Sequence, residues 1–481
     1  MRRRTGVLVT YSILGMLGLC AGGCQPSSNL TSGTLKDPPQ VGPESTAPLT
    51  GTLSCSGRGC HGAFERPDLK DQPAYRVSYT RWLLHDPHTR AYKVLFEDLA
   101  QEMGKKLGIA DVAAEPRCLV CHCTPQAAAK DPWAYDERIF GVGCEACHGP
   151  ARKWLVPHRD AAWQKMTPEQ KRQEYKKVDM NWLQSQAVRA EVCAGCHIGA
   201  PAEPGSGLPA RDMNHDFIAA GHPRLMFEYG SFLANEPKHW VEKDQRPDFD
   251  ARVWLVGQAA TAKGALRLLD DRATTKAEGR VWPELAEFDC YACHHDLVTP
   301  SWRQERGFPK DRIGALRPAR WYTALLPAVA SVVRDDGDLT LDTLRTTLSR
   351  RFPDGAAVEG QVKDALAVIG QLPVELEKRE YDHAAIAGLR KKLVALVDSN
   401  KRSSWDVVEQ LALGLRALDS ADRKLREKAG EKPGQREEEI SATVHELLQT
   451  LAFPPDANSP RNFRRTPADE KKLNAIFDRL K

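Results

Sequence analysis

Apolar residues recur every three or four positions over the last third of the chain. Ile386, Leu389, Leu393 and Leu396 form one stripe, Val408, Leu411, Leu415 and Leu418 a second, and Ile440, Val444, Leu447 and Leu451 a third. That period marks amphipathic α-helices with one buried face, so it predicts a helical bundle over 338–481. Thr466-Pro467-Ala468-Asp469 predicts one more helix start, with a capping threonine, proline at the first helical position and an acid in the first turn. A longer helix is expected over 251–271, where Val253, Val256, Ala260, Leu266 and Leu269 approximate one face. Between 55 and 300 the rest of the pattern is broken, which predicts short helices and many loops. Residues 301–337, with Trp302, Trp321, Tyr322 and several prolines, read as a wrapping connector. The expected fold class is mainly α: a loop-rich region followed by a C-terminal helical bundle.

The first residues carry a different pattern. Arg2, Arg3 and Arg4 precede a short apolar stretch from Val7 to Leu19, which then runs through small residues into Cys24. A basic segment followed by an apolar run too short to span a bilayer reads as an export signal. The spacing to Cys24 resembles a bacterial lipoprotein signal, with Cys24 as the lipidated first residue of the mature chain. Ordinary cleavage nearby is the other outcome. Residues 1–24 are thus expected to be a signal. Residues 25–54, rich in Ser, Thr, Pro and Gly, are expected to be a flexible tether.

Composition adds little until cysteine is reached. The chain has 481 residues, 41% apolar and 27% charged, with 68 Lys+Arg against 64 Asp+Glu. These values exclude a disordered chain and a multi-span membrane protein, and leave no nucleic-acid footprint in the totals. There are 13 cysteines. Beyond Cys20, Cys24 and Cys123, they fall into pairs, each followed at once by histidine. Four are CxxCH: Cys118–Cys121–His122, Cys144–Cys147–His148, Cys193–Cys196–His197 and Cys290–Cys293–His294. The fifth, Cys55–Cys60–His61, has four residues between its thiols.

Two thiols on one short turn can add to the two vinyl groups of one haem, and the histidine after them supplies the proximal iron ligand. The pattern therefore predicts five covalent haems c. Disulfides give no reason for five histidines in one register, an adjacent Cys-His would strain a tetrahedral zinc site, and a thioredoxin-like pair needs only one CxxC. Cys123 is left without an assigned role.

Seven further histidines lie between 85 and 295, inside the cysteine-bearing stretch. A six-coordinate iron needs a second strong donor, and His88, His158, His215 and His222 are the candidates favoured by their surroundings. His85, His239 and His295 are weaker candidates. Met103, Met213 and Met226 could serve, but the histidine surplus makes methionine unnecessary.

At this point the sequence resembles the cytochrome c-552/4 family of multihaem cytochromes. The most specific block is Gly141-Val-Gly-Cys144-Glu-Ala-Cys147-His148-Gly149-Pro150, followed by Trp154 and His158. In the family such a block precedes a histidine that ligates a neighbouring haem, which points to His158. Trp82-Leu-Leu-His85-Asp-Pro-His88-Thr-Arg-Ala91 looks like the family's tryptophan-histidine-alanine helix, with His88 at the ligand position. His215 to Leu225 resembles a loop from which histidines approach haems in related proteins. The resemblance covers about residues 55–300. The wide first motif and the fifth site depart from the best-known relatives, which have four.

Three functions compete. The leading expectation is an exported electron carrier in the periplasm, free or held by a lipid anchor, exchanging electrons with a redox partner protein. The alternative is a multihaem oxidoreductase acting on a small nitrogen or sulfur compound, which needs an iron with an open distal face. No CxxCK motif is present to mark one. A third reading is a haem-bearing scaffold docked by its helical domain into a larger complex.

Overall fold

The computed structural model describes residues 49–66, 72–124, 137–203, 207–274, 281–295, 297–299, 301, 316–334, 341–399, 405–452 and 467–481. The signal, Cys24, most of the tether, much of the connector and the capping Thr466 lie outside them. The described residues belong to one compact unit. They are helical, and the β-pairing found among them is confined to isolated bridges such as Ala200 with Arg211.

In chain order the α-helices are α1 (Ser78–His85), α2 (Asp98–Leu107), α3 (Pro116–His122), α4 (Cys144–His148), α5 (Ala161–Lys165), α6 (Pro168–Lys177), α7 (Gln186–His197), α8 (His215–Ala220), α9 (Tyr229–Asn235) and α10 (Phe249–Thr274). The C-terminal part continues with α11 (Leu326–Ala330), α12 (Asp342–Leu348), α13 (Gly355–Ile369), α14 (Leu372–Lys378), α15 (His383–Ser399), α16 (Trp405–Ala429), α17 (Gln435–Leu451) and α18 (Pro467–Leu480). Local chemistry sets several starts. Ser185 caps α7 through the Val188 N–H, Asn214 caps α8 through Phe217, and Glu228 caps α9 through Gly230 and Ser231. Thr167 and Gln170 close a reciprocal capping box on α6.

The helix expected over 251–271 is the hub of the fold. α10 packs against α7, α9, α11, α13, α14 and α16. It is buried almost all round, from Ala251 to Ala262, because partners cover every face. Gly414 lets α16 close on it, since a Cβ there would collide with the Trp254 indole. The three sequence stripes are core: Ile386, Leu389 and Leu393 on α15, Val408 to Leu418 on α16, and Ile440, Val444, Leu447 and Leu451 on α17 are buried. α15, α16, α17 and α18 pack in succession, and α18 returns to α15.

Arg252 ties α10 to the C-terminal helices. It is fully buried and paired with Asp244 and Asp248, and its Nε–H donates to the Arg379 carbonyl at 3.3 Å. Asp248 also accepts from the Tyr381 N–H at 2.8 Å.

The tether ends earlier than its composition suggests. Thr50 and Gly51 donate backbone N–H groups to Glu145, and Thr52 is buried against Glu137. Buried carboxylates require donors, and residues 50–52 supply them, so the described chain is docked from its first residues.

Candidate haem-ligand site

Three of the cysteine motifs lie within α-helices and the other two begin in 3₁₀ turns. α3 starts at Pro116, capped by Glu115, and ends on Cys118–His122; α4 is the third motif itself; α7 ends on Cys193–His197. Cys290 opens a 3₁₀ turn, and Cys55 closes another at Thr52–Cys55. Residues three apart share one side of a helical turn, so in the four CxxCH motifs both thiols and the following histidine can address one planar group. Two glycines of the Gly141–Pro150 block have a defined task. Gly141 (φ +63°) lies against the His88 carbonyl, and Gly149 (φ +85°) against the Asp179 carbonyl. Only a residue without Cβ fits at either place.

Four motif histidines each face a second histidine. His61 and His158 have ring centroids 6.3 Å apart, His122 and His222 6.4 Å, His197 and His88 5.9 Å, and His294 and His215 6.2 Å. An imidazole nitrogen sits about 2 Å from the metal it ligates, so two imidazoles on opposite sides of one iron hold their centroids about 6 Å apart. All four separations match. The second members are the four distal candidates expected from the sequence.

The outer ring nitrogens fix the rings. His61 Nδ1–H donates to the Tyr75 carbonyl at 2.7 Å, His122 to Ala91 at 2.7 Å, His158 to Trp154 at 3.0 Å and His222 to Pro223 at 2.9 Å. A proton on Nδ1 leaves the Nε2 lone pair for a metal, the arrangement usual for ligating histidines. His88 differs: its Nδ1 donates to the buried carboxylate of Asp86 at 2.8 Å, with Glu236 3.6 Å away. Burial alone would lower His88, but these two acids carry it up to about 10.

The fifth motif histidine, His148, is driven down to about 4 by burial, helped first by the neighbouring His239 and then by His61. His239 Nδ1 is buried without a hydrogen-bond partner. The sequence ranked His239 low, because nothing local to Pro237-Lys238-His239-Trp240 separates a ligand from a surface histidine. His85, by contrast, is exposed.

Thiols of different motifs also meet. The Cys144 thiol beside it lowers Cys55 while Cys144 itself is raised, and Cys121 lowers Cys196 to about 7 while Cys121 is raised. Cys147 is raised by burial, with Cys193 and Cys196 contributing. His215 and His222 lie on and just after α8, so one short helix serves both the 118–122 and the 290–294 motifs. Cys123, the extra thiol, is buried.

These residues fit haem c. Opposed imidazoles stand at the right separation, and the motif thiols are not joined in disulfides. Large exposed apolar side chains such as Phe64, Leu84, Phe96, Leu99 and Leu297 crowd the motif region, whereas Phe352 and Val368 are the two beyond residue 300 among the described residues. A porphyrin edge would cover such surface.

Residues 58–149 match the model of a family described as cytochrome c554 and c-prime. The match supports a c-type cytochrome with covalent haem and an electron-transfer role. It takes in the second and third motifs and all but Cys55 of the first. No curated protein and no solved structure matches the chain.

Proposed function

We propose that the protein is an exported pentahaem c-type cytochrome that passes electrons to or from a periplasmic or membrane redox partner. The carrying observation is the set of four opposed histidine pairs. Haem c supplies one-electron iron chemistry when bound. In this reading Cys55 and Cys60, Cys118 and Cys121, Cys144 and Cys147, Cys193 and Cys196, and Cys290 and Cys293 form the thioethers. His61, His122, His148, His197 and His294 are the proximal ligands. His158, His222, His88 and His215 would supply the second ligand at four sites, and buried His239 would supply it at the fifth, with His148. Full coordination keeps the ligand set unchanged as the charge changes, which suits a carrier.

Thiol neighbours link the motifs in the order 55–61, 144–148, 193–197, 118–122, and α8, which carries His215 with His222 just after it, links 118–122 to 290–294. That order differs from chain order and gives a continuous path between two ends. No helix among the described residues is long and apolar enough to cross a membrane; attachment is assigned to lipidated Cys24. The alternative, an oxidoreductase of small nitrogen or sulfur compounds, would place its open iron at His148, where the facing imidazole is not one of the four close pairs. The test combines intact mass of the haem-loaded protein with turnover of nitrite, hydroxylamine and tetrathionate. Five haems, rapid redox exchange and no turnover support the carrier. Substrate-dependent turnover contradicts it.

A further inference from the structure

Four ring nitrogens in the site donate to neutral backbone carbonyls; His88 alone among these donates to a carboxylate. Asp86 is buried, 4% exposed, and its Oδ1 also accepts the His88 backbone N–H at 2.9 Å. The Asp86 backbone N–H is fixed to the Trp82 carbonyl at the end of α1. Glu236 arrives from the end of α9, where its N–H bonds the Phe232 carbonyl at 2.9 Å. The ligand atoms of Asp86, His88 and Glu236 all lie within 4.8 Å of one another. Two elements distant in sequence thus converge on a single imidazole N–H.

We propose that Asp86 and Glu236 act as a carboxylate clamp on His88, holding the haem of Cys193–His197 at a lower potential than the haems served by His158 and His222. The proposal rests on the pentahaem reading above. A carboxylate accepting from Nδ1–H makes the opposite nitrogen a stronger donor. A stronger axial donor favours ferric over ferrous iron, and hydrogen bonding around the ligands is one of the protein's means of setting potential. A carbonyl acceptor, which carries no net charge, does this less. Asp86 and Glu236 are therefore positioning residues: they act on the iron through His88. The site lies between the 144–148 and 118–122 motifs in the spatial order, so a low potential there makes a step in the middle of the path.

The test is potentiometric titration of the full haem-loaded protein, followed by visible absorption and electron paramagnetic resonance. Asp86→Asn keeps the shape and an acceptor oxygen but removes the charge. Glu236→Gln removes the second charge at a longer contact. The expected result is an upward shift of one midpoint in Asp86→Asn and a smaller one in Glu236→Gln, with haem content and low-spin signals preserved. Unchanged midpoints in both variants, with haems intact and only the melting temperature altered, would overturn the clamp and leave the pentahaem reading standing. Wild-type protein without haem iron would overturn that reading itself, and the clamp with it.

Discussion

The imidazoles of His61 and His158 lie nearly parallel, 9° apart in plane, with centroids separated by 6.3 Å. His61 follows the first cysteine pair, whereas His158 follows the third. His158 is held by its own helical turn through the Trp154 carbonyl, and Trp154 is buried against it. Replacing His158 by alanine should remove one axial ligand and leave the thioethers in place. The expected outcome is one low-spin haem turned high-spin at unchanged haem content, read by electron paramagnetic resonance and pyridine haemochrome. Unaltered spin populations would reject the pairing.

His239 and His85 make a discriminating pair of substitutions. His239→Ala should convert one further haem to high spin, because its buried Nδ1 has no hydrogen-bond partner and its charge acts on His148. His85→Ala should leave every spectrum unchanged, since His85 is exposed on the last turn of α1. Equal effects from the two would remove the basis for assigning His239.

Arg252 is fully buried between Asp244 and Asp248. Arg252→Leu leaves the buried Asp248 without its cation, while Asp244 keeps Arg246, and breaking one side of a buried pair costs about 3–5 kcal/mol. The expected outcome is a markedly lower unfolding midpoint in chemical denaturation. The haem spectra should persist at low denaturant, because the covalent attachments lie elsewhere.

Cys24→Ser should move the protein from the membrane fraction to the soluble periplasmic fraction in a host that processes lipoproteins. Cell fractionation reads the result. Unchanged partitioning would show that the anchor lies elsewhere or that the wild type is not anchored.

The helical part was legible because its signal is periodic: the stripes at 386–396, 408–418 and 440–451 each face the core, with only Leu396 half-buried. The long helix at 251–271 was found nearly to its ends, although partners on all sides make it less amphipathic than the others. The cysteine motifs were legible because their chemistry is local. The histidines that face the motif histidines are harder to read, since they are chosen by tertiary proximity. His88 and His158 sit in motif-like blocks, and His215 and His222 flank one short helix, whereas His239 has no local mark. Nor does a sequence show that Glu236 reaches the imidazole of His88, or that Thr50 and Gly51 are recruited by Glu145.

Electron paramagnetic resonance with spin quantitation on the oxidised, haem-loaded protein tests the central claim most directly. Five low-spin ferric centres per chain, with no high-spin signal and none appearing on addition of nitrite or hydroxylamine, are predicted. A stoichiometric high-spin centre in the wild type, or fewer than four bis-histidine centres, would contradict the account.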